Sequence, residues 1–157
     1  MESGAGTILL VEDDQNDVFF LQYAFQEVGI ANPLQVVADG QQAIDYLSGV
    51  GAYAERERFP FPCLVLLDLK LPVKMGLDVL GWIRTQPQLQ NLLVLVLTSS
   101  SNVRDVDEAY RLGARAFLVK PVSTDKRIEM ARSIKQFWLE INEPPSFGAS
   151  ESSSFLI

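Results

Sequence analysis

The sequence predicts an α/β protein in which five strands and five helices alternate, (βα)5, to form a doubly wound, five-stranded parallel sheet. Two observations support this fold class. Five short apolar runs recur along the chain, and each is followed by a segment with apolar residues at helical spacing. Continuous apolar runs are typical of strands buried on both faces, as parallel strands are, and the crossovers between such strands are right-handed.

The third apolar run is the clearest predicted strand, because residues 63–67 lead directly into the carboxylate of Asp68. The other four predicted strands cover residues 7–11, 34–38, 92–97 and 116–119. Pro33 opens the second strand, and Pro121 follows the fifth by two residues. Each run is short and bounded by polar or turn residues, as strands of a compact α/β domain are.

The predicted helices follow the strands in order. Asp14 suits the N-cap of the first helix and Gly29 its C-terminal stop. The second helix passes through Ala43, Ile44 and Leu47. The third follows a turn at Gly76 and passes through Leu77, Leu80 and Ile83 up to Pro87. The fourth starts near Val103 and stops at Gly113, and the last covers about residues 124–142, where Pro144 ends it.

The length of 157 residues suits one domain with a substantial core. We expect a flexible N-terminus over residues 1–6, the folded domain over 7–142, and a Pro/Ser-rich tail over 143–157. With 48% hydrophobic residues the chain should fold, but it contains no apolar run of membrane-spanning length and no signal-like N-terminus. We therefore expect a soluble, cytoplasmic protein.

Composition also excludes several kinds of function. Cys63 is the single cysteine, so a disulfide framework or a cysteine-based zinc site cannot form within the chain. The sequence contains no histidine, which removes the commonest general base and metal ligand. The net charge of −7 argues against nucleic-acid binding, which requires a basic surface.

Residues 49–62 form a long connection before the third strand, with four charged residues and then Phe59, Pro60, Phe61 and Pro62. One interpretation is a surface insertion that lengthens the preceding helix, and we favour it because such connections are loosely constrained. The alternative is a partner contact through exposed Phe59 and Phe61.

Chemically versatile side chains follow four of the five predicted strands. They are Glu12 and Asp13 after the first strand, Asp68 after the third, Thr98 after the fourth and Lys120 after the fifth. Because ligands of open parallel sheets bind beyond the carboxyl ends of the strands, we expect these side chains to share one crevice. Asp39, after the second strand, should lie farther out. Each residue alone could be a cap or turn residue, but four matching strand ends together indicate a site.

Three carboxylates in one crevice repel each other and are best accommodated around a cation. An oxygen-rich site of this size suits Mg²⁺, which binds one or two carboxylates and keeps several waters. Asp68 could then act as a carboxylate nucleophile toward a phosphoryl group. Lys120 could neutralise the phosphoryl oxygens and the Thr98 hydroxyl could donate a hydrogen bond to them.

Four motifs together resemble the receiver domain of two-component response regulators: LVEDD at 10–14, LDLKLP at 67–72 with Gly76, LTS at 97–99 and VKP at 119–121. The resemblance covers residues 7–142 and implies a flavodoxin-like (CheY-like) receiver fold. The long connection before the third strand and the phrase DLKLP resemble the single-domain subgroup that works with bacterial and cyanobacterial phytochrome-type sensor histidine kinases.

The resemblance also implies a role for each site residue. Asp68 is the phosphoacceptor. Asp13, Asp68 and the backbone carbonyl of Lys70 bind Mg²⁺ directly, and Glu12 acts through water; the family often has the shorter Asp at that position. Thr98 is the switch hydroxyl and Lys120 the phosphate-contacting cation.

A change of shape is implied as well. Phosphorylation draws in Thr98, the ring of Phe117 enters the space that Thr98 vacates, and the face of the fourth helix, fifth strand and fifth helix is remodelled. Phe117 is also interpretable simply as a core residue.

The sequence leaves no room for an output domain, so we expect the readout to be protein contact or self-association. Met130, Ile134, Phe137 and Ile141 recur at helical spacing on the last helix, and one such stripe should pack on the sheet. Ile128 and Leu139 add apolar surface, and the tail ends in three apolar residues, 155–157. We expect a homodimer through the last helix and the tail; the alternative is a moderately apolar surface helix with a disordered tail.

Three other functions remain to be weighed. A phosphatase of the haloacid-dehalogenase type needs a second acid two positions after the nucleophile, and Lys70 stands there. A flavodoxin or Rossmann cofactor binder needs a Gly- or Thr-rich phosphate loop after the first strand, where this chain has Glu12, Asp13 and Asp14. A receiver-shaped scaffold that is never phosphorylated stays open on the sequence alone.

Overall fold

The computed structural model describes residues 5–141, and Asn142 and the predicted tail lie outside them. The fold is a parallel sheet of five strands with helices on both faces, which confirms the predicted fold class. The strands are β1 (Ile8–Val11), β2 (Leu34–Val37), β3 (Leu64–Leu67), β4 (Val94–Thr98) and β5 (Ala116–Val119). The helices are α1 (Gln15–Val28), α2 (Gly40–Ser48), α3 (Gly76–Thr85), α4 (Val103–Arg111) and α5 (Thr124–Ser133). A π-helical stretch, Ile134–Ile141, continues α5.

The strand order is β2-β1-β3-β4-β5, with every neighbouring pair parallel. The register pairs Val11 with Leu67 and Thr98 with Val119. The carboxyl ends of β1, β3, β4 and β5 therefore lie side by side along one edge. The residues that follow these strands start from neighbouring positions.

Two hydrophobic cores cover the faces of the sheet, and the strand residues alternate between them. One core contains Leu9, Val11, Val65, Leu67, Val94 and Val96 under α2, α3 and α4. The other contains Ile8, Leu10, Leu64, Leu66, Leu95 and Leu97 under α1 and α5. Because both faces are covered, these strands read as continuous apolar runs in the sequence.

The ends of α1 follow the sequence prediction. The side chain of Asp14 accepts hydrogen bonds from the N–H groups of Asn16 and Asp17. Gly29 ends the helix at φ 77°, and its N–H donates to the Gln26 carbonyl. This left-handed conformation is adopted at little cost only by glycine. Both predicted helix limits are confirmed.

Strand β4 begins two residues later than the sequence predicted. Leu92 and Leu93 are buried but precede the strand, which covers Val94–Thr98. The expected limits of 92–97 reflected burial, and burial continues into the turn that leads to the strand. Backbone pairing, which defines the strand, does not follow from side-chain polarity.

The end of the last helix also differs from the prediction. A π-helical turn holds more residues than an α-helical one, so the spacing of the predicted stripe does not keep its members on one face. Ile134 and Ala131 are buried against the sheet, whereas Phe137 is 53% exposed. Phe137 packs edge-on against Trp138 instead. The predicted stripe that included Phe137 is therefore wrong at that residue.

The long connection before β3 is folded back onto α2. Helix α2 ends at Ser48, so the connection does not lengthen it. Tyr46, Tyr53 and Phe59 form an aromatic cluster, and Tyr46 donates from its hydroxyl to the Pro60 carbonyl at 2.8 Å. Arg56 donates to the carbonyl oxygens of Leu47 and Phe59. Phe59 and the neighbouring Phe61 are half-buried against the core, so the alternative that required them to be exposed is wrong.

Over residues 5–141, no helix has both the length and the apolar character needed to cross a membrane.

Candidate functional site

Acidic side chains converge at the carboxyl edge of the sheet. Glu12 and Asp13 follow β1 and Asp68 follows β3, and these strands are neighbours. One carboxylate oxygen from each of the three lies within 4.8 Å of the others. Glu12 and Asp68 are buried, whereas Asp13 is exposed. The cluster is therefore open to solvent on the side of Asp13. Asp39, after the edge strand β2, instead caps α2 through Gln42.

Lys120, after β5, reaches into this acidic cluster. Its Nζ lies 2.6 Å from Glu12 Oε1, 2.8 Å from Asp17 Oδ2 and 2.9 Å from Asp68 Oδ2. An ammonium group has three N–H donors, so these three carboxylates can use all of them. Lys120 thus joins the ends of β1, β3 and β5 and the first turn of α1.

The electrostatics of the cluster raise the pKa of its buried acid. Burial raises the pKa of Glu12 to about 7, against the hydrogen bonds from Lys120 and from the Asp14 N–H, while the charge of Asp68 raises it further. Burial alone would lower the pKa of Lys120, but hydrogen bonds to Asp17, Glu12 and Asp68 outweigh it and raise that pKa above its usual value. The lysine is therefore a permanent cation in this site.

Both oxygens of Asp68 have partners on the protein. Oδ2 accepts from Lys120, and Oδ1 accepts from the Lys70 N–H at 3.2 Å. Each carboxylate oxygen has a second lone pair, so these bonds leave Asp68 able to bind a cation or attack an electrophile. Lys70 has an exposed side chain, and its backbone borders the acidic cluster.

Two glycines let the loop after β3 pack closely around Asp68. A Cβ at Gly76 would lie 2.3 Å from the Asp68 carbonyl oxygen, and one at Gly40 would lie 1.9 Å from the Lys74 carbonyl oxygen. Gly76 also donates its N–H to the Leu69 carbonyl. Between these contacts Val73 adopts φ 66°, an uncommon conformation for a β-branched residue. The loop is held in one shape by its neighbours.

Thr98 ends β4 and is fully buried, yet its hydroxyl has no hydrogen-bond partner within the described residues. The Thr98 carbonyl accepts from the Lys120 N–H at 2.8 Å, which places Thr98 beside the lysine. Phe117, on β5, is half-buried and pairs with Val96, two residues before Thr98 on the same face. Its N–H donates to the Tyr110 hydroxyl of α4. The Thr98 hydroxyl and the Phe117 ring therefore lie on the same face of the sheet, the face covered by α2, α3 and α4.

Asp17 is the site residue that sequence reasoning missed. It stands in the first turn of α1, where an acid is readily explained by the helix dipole. The sequence carried one unused signal, since four acids occur within residues 12–17, more than a magnesium site needs.

The donor set fits a divalent cation. Lys120 contacts the carboxylates of Glu12, Asp17 and Asp68, and Asp13 lies beside Glu12 and Asp68. Four acids against one ammonium group leave the cluster with an excess of negative charge. Thr98, whose backbone contacts Lys120, adds a buried hydroxyl that has no partner among residues 5–141. Hard oxygen ligands with an open side are what Mg²⁺ and Mn²⁺ bind in proteins.

Comparison with known proteins agrees with this geometry. The family model of the response regulator receiver domain matches residues 8–132. The response regulator Rcp1 of Synechocystis sp. is 38% identical over 133 residues, which cover 85% of this chain and 88% of Rcp1.

Two solved structures are similar over nearly the whole described chain. The crystal structure of the Mn²⁺-bound form of Rcp1 superposes with a TM-score of 0.81 at 37% identity, covering 90% of this chain and 99% of that one. The crystal structure of the phosphorylated cyanobacterial phytochrome response regulator RcpA superposes with a TM-score of 0.84 at 33% identity, covering 91% and 100%. From the family match, the relative and the shared fold together, the chain belongs to the response regulator receiver domain family.

Proposed function

We propose that this chain is a single-domain response regulator that accepts a phosphoryl group on Asp68 from a partner sensor histidine kinase. The observation that carries the proposal is the buried carboxylate of Asp68 beside two further acids and Lys120, at the carboxyl edge of a parallel sheet. The similarity to RcpA, which was solved phosphorylated and is a phytochrome response regulator, supports a phytochrome-type kinase as the donor.

In the proposed reaction an Asp68 oxygen attacks the phosphorus of a phosphohistidine on the kinase. The new P–O bond forms as the P–N bond breaks, and the imidazole leaves with the bonding electron pair. Catalysis of phosphoryl transfer depends mainly on positioning and charge stabilisation. Lys120, already 2.9 Å from Asp68 Oδ2, is placed to donate an N–H to a phosphoryl oxygen that arrives there.

We propose that Mg²⁺ is held by Glu12, Asp13, Asp68 and the Lys70 backbone carbonyl, with Glu12 acting through water. The ion would neutralise negative charge on the transferring phosphoryl oxygens. The exposure of Asp13 leaves a route by which a hydrated ion reaches the cluster.

We propose Thr98 and Phe117 as the switch. A buried hydroxyl without a partner gains a hydrogen bond when a phosphoryl oxygen appears on Asp68, so phosphorylation favours a conformation in which Thr98 moves toward it. Phe117 faces the same layer and can fill the space that Thr98 leaves. The consequence is a change on the face formed by α4, β5 and α5.

The readout that we propose is contact with another protein, including a second copy of this chain, rather than catalysis on an external substrate. Lys70 occupies the position where haloacid-dehalogenase phosphatases need an acid, so phosphotransfer to Asp68 and its hydrolysis are the only reactions expected. We propose a cytoplasmic protein, and the net charge of −7 supports the proposal that it does not bind nucleic acid.

Exposed Phe137 near the end of the described chain supports a homodimer through the last helix and the tail. Sedimentation with and without a phosphoryl mimic tests it: a dimer is expected at roughly tens of micromolar, and a monomer in both states contradicts it.

Incubation with acetyl phosphate and Mg²⁺, followed by intact-mass measurement, tests the central proposal. We expect a gain of one phosphoryl group in the wild type and none in Asp68→Asn, because the amide is not a nucleophile. Asp125→Asn, which removes an exposed acid from the first turn of α5, is the matched control and should be phosphorylated like the wild type. No gain in the wild type with the metal bound would favour the unphosphorylated scaffold.

A further inference from the structure

The contact between Asp17 and Lys120 has a consequence for the transfer step. Asp17 Oδ2 lies 2.8 Å from Lys120 Nζ, across the junction between α1 and the end of β5. The receiver motifs in the sequence leave this residue without a role. We propose that Asp17 is a positioning residue that holds the Lys120 ammonium toward solvent, where the incoming phosphoryl group meets it; the inference rests on the proposed function.

The side chain of Asp17 is not required to build its helix. Asp17 is the third residue of α1, the position from which an acid commonly reaches back to the N–H of the capping residue. Here that N–H, on Asp14, already donates to Glu12 Oε2 at 3.1 Å. Asp17 contributes only its own N–H to the cap, which the Asp14 side chain accepts. Its carboxylate is therefore directed to Lys120.

The three acceptors around Lys120 differ in depth. The side chains of Glu12 and Asp68 are 3% and 7% exposed, whereas that of Asp17 is 35% exposed. Two acceptors thus draw the ammonium inward, and Asp17 draws it toward solvent. Without Asp17, we expect Nζ to settle deeper between the two buried carboxylates, farther from the phosphoryl donor.

With Asp17 present, two of the three N–H donors of Lys120 are fixed by Glu12 and Asp17, and the third points at Asp68. When Asp68 is phosphorylated, an oxygen of the phosphoryl group can take over the third donor while the other two bonds persist. Lys120 then needs no large movement during the transfer, which is the condition for effective electrostatic stabilisation.

The test compares Asp17→Ala with Asp125→Ala in phosphorylation by acetyl phosphate at saturating Mg²⁺, followed by intact mass. Both variants lose one acid from the first turn of a helix and so lose the same dipole interaction. We expect Asp17→Ala to be slower by about tenfold, less than the roughly hundredfold that a misplacement of about 1 Å can cost, because Glu12 still holds Lys120. Asp125→Ala should stay within about twofold of the wild type, since exposed charges interact weakly.

Two further measurements distinguish positioning from a structural or metal-binding role. Mg²⁺ affinity by calorimetry should change by no more than about threefold in Asp17→Ala, because water screens a partly exposed charge. Asp17→Glu, which restores a carboxylate on a partly exposed side chain, should recover most of the lost rate.

The inference fails if Asp17→Ala is phosphorylated as fast as the wild type, if its slower rate matches an equal loss of Mg²⁺ affinity, or if Asp17→Glu recovers nothing. A wild type that takes up no phosphoryl group overturns the proposed function and this inference with it. If the wild type and Asp17→Ala are both phosphorylated at the normal rate, the inference about Asp17 is wrong and the proposed function stands.

Discussion

Lys120 is the residue that makes the acidic cluster compatible with a folded protein. Glu12 and Asp68 are buried and would each lose favourable hydration on folding. The ammonium group contacts both, and also Asp17, at hydrogen-bonding distances. Burial lowers the pKa of Lys120, but the same hydrogen bonds, to Asp17, Glu12 and Asp68, outweigh burial and raise it. The lysine therefore has a structural role in addition to the catalytic one proposed for it.

Lys120→Met in metal-free buffer is expected to lower the free energy of unfolding by about 3–5 kcal/mol, because buried carboxylates lose their cation. Urea denaturation measures the change. Lys126→Met is the matched control: Lys126 pairs with Glu129 at 3.5 Å, but its side chain is 70% exposed, so the loss should stay below about 0.5 kcal/mol. Equal losses in the two variants would contradict the structural role of Lys120.

The buried hydroxyl of Thr98 can by itself favour one conformation over another. A buried hydroxyl without a partner costs on the order of 1–3 kcal/mol, and Thr98 is such a residue within the described chain. A state in which the hydroxyl has an acceptor avoids this cost. We therefore expect phosphorylation of Asp68 to favour a state in which the Thr98 hydroxyl gains an acceptor.

At the scale of elements, the start of α3 determines how closely the loop after β3 surrounds Asp68. The N–H of Gly76 donates to the Leu69 carbonyl, and the missing side chain allows the helix to approach the backbone of Asp68. Any larger residue would meet backbone atoms, which cannot rotate away as a side chain does.

Gly76→Ala and Gly81→Ala test this contact within the same helix. The new Cβ at Gly76 would lie 2.3 Å from the Asp68 carbonyl oxygen, so we expect the variant to lose about 1–3 kcal/mol of stability, as overpacked sites do. Among the described residues, a Cβ added at Gly81 meets nothing within 4 Å beyond its own helix backbone and chain neighbours. Alanine there should stabilise the helix by about 0.5–1 kcal/mol. Thermal denaturation of both variants gives the comparison; a neutral Gly76→Ala would show that the loop yields freely.

How well each element could be predicted depended on what its sequence signal measures. Apolar runs reported burial, which identified all five strands but set the start of β4 two residues early. Caps report local hydrogen bonds, so Asp14 and Gly29 marked the limits of α1 correctly. Regular helical spacing could not anticipate the π-helical stretch after Ser133, because the sequence pattern of a wider turn looks like an ordinary helix with an irregular face.

How well the residues of the candidate site could be predicted also depended on what the sequence signal measures. Parallel topology brings strand ends together, so residues immediately after the strands could be grouped from the sequence, and Glu12, Asp13 and Asp68 lie together in the structure. Asp17 could not be grouped in this way, because its position relative to Lys120 depends on how α1 packs beside α5. The cluster of Tyr46, Tyr53 and Phe59 depends on how the connection before β3 folds back onto α2, which the spacing of apolar residues does not show.

At the scale of the whole molecule, the site joins elements that are far apart in the sequence. Lys120 and Asp17 are separated by 103 positions, and Lys120 and Asp68 by 52. The acidic cluster therefore exists only when the sheet is assembled. A ligand that binds the cluster binds the folded chain and not the unfolded one, and so stabilises the entire fold by mass action.

Mg²⁺ should accordingly raise the melting temperature of the protein. At a free concentration about 100 times its Kd, a ligand adds about 2.7 kcal/mol of stability, which corresponds to a rise on the order of 5–10 °C for a chain of this size. Removal of the ion with EDTA should reverse the shift. Asp13→Asn should lose most of it, because Asp13 is one of the groups proposed to bind the ion. Asp125→Asn, outside the cluster, should keep it.

The metal-free melting temperatures make this prediction specific. Removing Asp13 relieves repulsion among three carboxylates, so metal-free Asp13→Asn should be at least as stable as the metal-free wild type. A lower stability without metal would mean that Asp13 supports the fold directly, and its effect on the Mg²⁺ shift could not then be assigned to ion binding. A group at the ion's site should lower the metal-free stability and increase the stability gained from Mg²⁺. If Asp13→Asn and the wild type show equal Mg²⁺ shifts, Asp13 is not such a group and the ion binds elsewhere.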